Sequence, residues 1–191
     1  MYICVDGIDG SGKTSLAKCL SKALDCEFYE TGLEEDLGID ETLYRKIKRN
    51  YFDSIEYSKR GVIWFYLLKM FSFESRLVGG DLVCVRNYAS LAGYLGDDEE
   101  LFDLASRTFT KPTLTILLKP DYNTVCSRLT GRMSDDEIVP EELYDTFYKR
   151  VVECYDRYRF KYKVIDTTNM TVEDTLLCVK EIIKNEKIKH I

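Results

Sequence analysis

Residues Gly7-Ile8-Asp9-Gly10-Ser11-Gly12-Lys13-Thr14 carry the spacing G-x-x-x-x-G-K-[ST], and nothing else in the chain restricts its fold as much. Glycines at these positions let main-chain N–H groups converge on phosphate oxygens. The lysine bridges the terminal phosphates, and the threonine hydroxyl can ligate Mg²⁺. This chemistry requires a strand running into the loop and a helix leaving it. Both are legible: Tyr2–Asp6 is a short apolar run, and 12–24 places Leu16, Ala17, Leu20, Ala23 and Leu24 on one helical stripe. Gly7, Asp9, Gly10, Ser11, Gly12, Lys13 and Thr14 therefore read as an ATP–Mg²⁺ site, with a ligand-free glycine-rich turn as the alternative.

Further along, β-branched or aromatic runs at Glu27–Glu30, 82–86, 114–119 and 162–166 alternate with helical patterns. The helical stretches are 41–49, 54–78, 99–106, 122–129, 141–157 and 172–187. Strands separated by helix-length crossovers give a parallel sheet with helices on both faces, an α/β three-layer fold. Pro112, Pro120 and Pro140 fall at the edges of these runs, where a missing N–H does least harm. No repeat, low-complexity tract or linker divides the chain, so 1–191 reads as a single domain.

The net charge of −6 offers no general attraction to polymeric nucleic acid or anionic membrane, so a small anionic substrate would need local cations. Seven cysteines with no CxxC pair read as small core residues of a reducing, cytoplasmic setting, and His190 alone provides no basis for histidine chemistry. No signal-peptide pattern opens the chain. The apolar stretch 61–73 is interrupted by Lys69 and too short to span a bilayer, which makes it a buried helix.

Beyond the loop, the chain resembles the thymidylate kinase branch of the P-loop nucleoside and nucleotide kinases. The likeness is carried by GIDGSGKTS and by Glu30-Thr31-Gly32 in place of E-P-G. It continues in Arg86…Ser90…Tyr94, in register with D-R-Y-x-x-S-x-x-A-Y, then Lys111-Pro112-Thr113-Leu114 and Ile165-Asp166-Thr167-Thr168-Asn169. The resemblance implies a five-stranded parallel sheet in order 2-3-1-4-5, ATP at the strand C-termini, and a lid at about 126–140. It also implies a homodimer built on the long 54–78 helix.

By that resemblance Lys13, Arg86, Arg128 and Arg132 are catalytic, the last two as lid cations on the transferred phosphoryl or simply as solvated arginines. Asp9 would meet the acceptor sugar, or else hold the loop. Arg86 would clamp the acceptor phosphate or orient the transferred group, or form a strand-end ion pair. Thr167, Thr168 and Asn169 would line the adenine through main-chain groups, or cap the last helix. Glu30, Phe65, Ser90 and Tyr94 join Asp9 and Arg86 as acceptor contacts, and Thr14 and Glu30 are the metal side, with Asp81 a weaker candidate.

Trp64, Phe65, Tyr66, Phe71 and Phe73 could stack a base or fill the core. Three departures stand out: Val85 replaces the acid of D-R-Y, Asn87 replaces its tyrosine, and 61–73 carries no arginine to grip an acceptor phosphate. The leading reading is an ATP–Mg²⁺-dependent deoxynucleoside monophosphate kinase. A nucleoside kinase with Glu30 as general base and an ATP-binding regulatory module remain the alternatives.

Overall fold

A computed structural model describes residues 1–30, 42, 59–78, 80–96, 98–130 and 140–188, with only the backbone described at 59, 65, 69, 72 and 75. Its centre is a five-stranded, all-parallel sheet in which the strands, numbered along the chain, lie in the order 2-3-1-4-5 implied by the resemblance. The strands are β1 (Tyr2–Asp6), β2 (Glu27–Glu30), β3 (Leu82–Val85), β4 (Leu114–Leu118) and β5 (Tyr162–Ile165). Every residue of β1, β3 and β4 is buried, as expected of parallel strands covered on both faces. The outer strand β5 instead exposes Lys163 and Val164, the charge guarding an edge.

The described helices are α1 (Lys13–Leu24), α2 (Lys59–Leu77), α3 (Ser90–Leu95), α4 (Glu99–Thr108), α5 (Tyr122–Leu129), α6 (Glu141–Arg157) and α7 (Val172–Asn185). Alternation along β1 divides the core. Ile3 and Val5 face α1 and α7 through Leu16, Leu20, Val179 and Ile183, while Tyr2 and Cys4 face α2 and α6 through Leu67, Phe73, Val151 and Tyr155. Helix starts are set locally: Asp98 and Asp121 accept from Leu101 N and Thr124 N, and Thr171 with Asp174 forms a reciprocal capping box.

The sequence-based boundaries shift where function begins. Strand β3 stops at Val85 because Arg86 turns into the left-handed region at φ 70, and β4 and β5 end one residue early, at Leu118 and Ile165. Helix α3 has no counterpart among the expected helices. The reading of 61–73 as wholly buried is corrected: Phe73 is core, whereas Trp64, Leu68 and Phe71 are exposed along one side of α2. No described helix is long and apolar enough to cross a membrane. The expected helix at 41–49 apart from Thr42, the Thr31-Gly32 turn, lid residues 131–139 with Arg132, and His190 all lie outside the described residues.

Candidate active site

The phosphate loop leaves β1 and enters α1 through backbone that only glycine accommodates at its first position. Gly7 sits at φ 148, and a Cβ there would lie 2.5 Å from Ser11 Oγ and 2.8 Å from the Leu118 carbonyl. Helix α1 has no side-chain cap and no acid in its own first turn, so its leading N–H groups carry positive potential and are not taken up by the helix's own side chains. The buried Ser11 hydroxyl has no hydrogen-bond partner among the described residues. A cavity of about 530 Å³ opens over these groups, lined by Gly10 to Leu16 and walled by Leu118, Arg128, Leu129, Thr167, Met170 and Val172. Its polar floor and apolar wall fit a nucleotide triphosphate, phosphates over the loop and base toward α7.

Lys13 Nζ lies 2.9 Å from Asp9 Oδ1 and 3.2 Å from the Ile8 carbonyl. Burial and the nearby Arg86 cation lower its pKa, opposed by the Asp9 charge. On the far side of the same carboxylate, Arg86 Nη2 donates to Asp9 Oδ1 at 2.6 Å and to Tyr94 Oη at 3.0 Å. The Tyr94 hydroxyl donates to Asp9 Oδ2 at 3.1 Å. Burial works against the charge on Asp9, but Arg86 and then Lys13 outweigh it and the pKa falls well below the carboxylate range. Burial likewise works against the charge on Arg86, but the Tyr94 oxygen and then the Asp9 and Asp6 carboxylates outweigh it and the pKa rises. One carboxylate thus joins the phosphate-loop lysine to an arginine and a tyrosine carried by the β3–α3 segment.

Thr14 Oγ1 donates to Glu30 Oε1 at 2.8 Å. Glu30 pairs in register with Val85 on the neighbouring strand, so β2 supplies a carboxylate at the sheet end where β3 has none. Thr14 and Glu30 together fit a divalent cation held beside the phosphates, as oxygen donors of the kind Mg²⁺ takes. Asp81 sits at the opposite end of β3, where it pairs with the Met1 amino group, which removes it from the metal side.

The structure redistributes the other sequence-based candidates. Arg128 donates to the Ser11 and Thr167 carbonyls at 3.2 and 3.1 Å, strapping the loop to the segment after β5 with donors expected on the transferred phosphoryl. Thr167 lines the cavity, but Thr168 and Asn169 do not. Met170, Thr171, Val172 and Thr175 take that place at the start of α7. The cap of α7 is Thr171 rather than the Thr167–Asn169 turn.

Ser90 is corrected most clearly. It is buried, and its hydroxyl donates to Asp6 Oδ2 at 2.6 Å, so it faces the interior instead of an acceptor. Asp6, fully buried at the end of β1, has no place in the sequence-based site. Its one signal was an acid closing an otherwise apolar strand. Phe65 lies on α2 with its side chain outside the described residues.

Comparison with known proteins agrees with this geometry. The family model described as thymidylate kinase matches residues 5–176. A probable thymidylate kinase of Methanocaldococcus jannaschii is 30% identical over 187 residues, covering 91% of this chain and 90% of that protein. Among solved structures, deoxyadenosine kinase from M. mycoides with bound dCTP superposes with TM-score 0.66 at 19% identity, over 97% of this chain and 100% of that one. Thymidylate kinase from Candida albicans gives TM-score 0.66 at 17% identity, over 97% and 92%. At these identities the structural likeness establishes the fold.

Proposed function

The chain belongs to the thymidylate kinase family and is a nucleotide kinase, and from that premise we propose that it transfers the γ-phosphoryl group of ATP–Mg²⁺ to the 5′-phosphate of a deoxynucleoside monophosphate. The observation that carries this reading is the Asp9 junction. Lys13 at 2.9 Å and Arg86 at 2.6 Å meet on one carboxylate between the phosphate loop and α3.

In this reading the loop N–H groups from Gly10 to Thr14 and the Lys13 ammonium bind and orient the donor phosphates. Arg86 holds the acceptor phosphate in line with them, and Asp9 accepts a hydrogen bond from the acceptor sugar. Magnesium, when bound, would offset negative charge on the phosphates. Thr14 would hold it, and Glu30 would fix the threonine hydroxyl and add compensating charge. Because Glu30 Oε1 already accepts from Thr14, it is assigned to the metal side rather than to a general base. Little covalent chemistry falls to the protein, so positioning and charge complementarity account for the rate. Arg132 is assigned to the same transferred group. Trp64, Leu68 and Phe71, exposed at i, i+4 and i+7 on α2, are assigned to a homodimer face.

The test is a panel of nucleosides and their 5′-monophosphates, deoxy and ribo, incubated with ATP and Mg²⁺ and read by mass, with Lys13→Ala as control. Conversion of a deoxynucleoside monophosphate that disappears in the variant supports the reading. Conversion of nucleosides alone returns Glu30 to the role of base, and no product with any acceptor overturns the assignment.

A further inference from the structure

Asp6 is an ionisable side chain at zero exposure that, among the described residues, has no cation in hydrogen-bonding contact. Its carboxylate instead takes three neutral donors from three parts of the fold. Gly7 N donates to Oδ1 at 2.7 Å, and the Ser90 hydroxyl at 2.6 Å and the Tyr155 hydroxyl both donate to Oδ2. Gly7 opens the phosphate loop, Ser90 opens α3, and Tyr155 is a fully buried residue of α6. Burying a carboxylate is unfavourable before its hydrogen bonds are counted, and an apolar residue would extend the pattern of β1 at no such cost. The site therefore calls for a reason specific to the charge or to its acceptor geometry.

The donors show what Asp6 orients. Ser90 Oγ donates to Asp6 and accepts from Asn87 N at 3.2 Å, while the Asn87 side-chain oxygen accepts from Ala89 N at 2.8 Å. This network fixes 87–90, the turn that follows Arg86. Arg86 itself holds a left-handed backbone at φ 70, a conformation that is strained for a non-glycine residue and persists only when its surroundings impose it. Four residues after Ser90, one helical turn on, α3 presents Tyr94 to Asp9 and Arg86. The Asp6 charge also lies close enough to favour the cationic form of both Arg86 and Lys13.

We propose that Asp6 is a positioning residue for the acceptor side of the site: through Ser90 and Tyr155 it pins α3 to β1 and α6, and so sets where Arg86 and Tyr94 stand relative to the phosphate loop. This rests on the assignment of Arg86 and Tyr94 to the acceptor. Asp6 touches no reacting group; it acts through the turn it holds. The sequence hides the arrangement because Ser90 and Tyr155 lie 84 and 149 residues from Asp6.

Ser90→Ala and Tyr155→Phe each remove one donor and keep the carboxylate, so they avoid the folding risk of Asp6→Ala. Two readouts are compared with wild type. In hydrogen–deuterium exchange without ligand, Ser90→Ala raises exchange at 87–95 and leaves the far strand β5 unchanged; no rise, or an equal rise in β5, overturns the proposal.

In steady-state kinetics, each variant raises the acceptor KM roughly tenfold, the scale of one hydrogen bond to a charged group. The affinity for a non-hydrolysable ATP analogue stays within about twofold of wild type. Equal losses for donor and acceptor, or a lower melting temperature with unchanged KM, reduce Asp6 to a structural group and overturn the proposal. Should wild type phosphorylate no monophosphate, the kinase assignment fails on its own, and the exchange pattern still decides whether Asp6 positions α3.

Discussion

Gly93→Ala tests whether the seat of α3 governs the acceptor side. On bare helix propensity this substitution in α3 stabilises, by up to about 1 kcal/mol. The packing says otherwise. A Cβ at residue 93 would lie 2.3 and 2.5 Å from two carbons of the Phe147 ring and 2.8 Å from Val151 Cγ2. Carbon atoms rest at about 3.5–4.0 Å, so either α3 retreats by about 1 Å or the ring moves. The ring has little room: Phe147 is fully buried, with the Tyr94 ring centroid at 4.8 Å and that of Tyr148 at 5.2 Å.

Overpacking costs about 1–3 kcal/mol, and two contacts at 2.5 Å or less place it in the upper part, about 2–3, which leaves a net loss of about 1–2 kcal/mol after a propensity gain of about 1. For a chain of 191 residues that is a fall in Tm of about 2–8 °C. Because Tyr94 rides on the same helix and packs on the same ring, the acceptor KM is expected to rise about tenfold while ATP-analogue affinity holds, one tenfold step being 1.4 kcal/mol. Thermal denaturation and initial rates read both effects. An unchanged or raised Tm together with an unchanged KM would refute the reasoning.

Three further outcomes are expected. Asp9 is held ionised below its ordinary pKa of 3.8, so its stabilising contribution is complete above that pH and lost as pH falls through the lower folded value. Asp9→Asn should therefore flatten the acid limb of a stability–pH curve below about pH 4, and parallel curves would contradict the ion-pair geometry. Glu30→Gln keeps an oxygen for the Thr14 hydroxyl but drops the charge. The apparent Mg²⁺ requirement should rise roughly tenfold at unchanged Tm, and a superimposable Mg²⁺ titration would remove Glu30 from the metal side. Leu68→Glu puts a charge in the middle of the exposed apolar stripe of α2. Sedimentation should then shift from dimer toward monomer, and wild type sedimenting as a monomer would eliminate that face.

How much was legible in the sequence depended on the range of the interactions involved. The phosphate loop is local: its glycines, Lys13 and Thr14 lie within eight residues, and the apolar alternation of β1 and the stripe of α1 frame them. Strands β1, β3 and β4 were legible for the same reason, since burial on both faces writes continuous apolar runs. Helix α3 was missed because six residues are too few to show a helical period, and because its fixing contact is to Asp6 across the sheet. Ser90 was misassigned for the same reason.

Of Thr167, Thr168 and Asn169, which the resemblance sets along the adenine, Thr167 lines the cavity, and beyond it Met170, Thr171, Val172 and Thr175 form the wall. The aromatic residues of 61–73 could not be sorted by type alone. Only packing separates the buried Phe73, whose ring lies 5.1 Å from that of Tyr2, from the exposed Trp64.

The most direct test of phosphoryl transfer is a single turnover with γ-labelled ATP, Mg²⁺ and a deoxynucleoside monophosphate, following where the label goes in wild type and in Lys13→Ala. The account predicts label in the β-phosphoryl of the nucleoside diphosphate, with the rate reduced by orders of magnitude in the variant. Label released only as inorganic phosphate, or equal transfer by the variant, would contradict it.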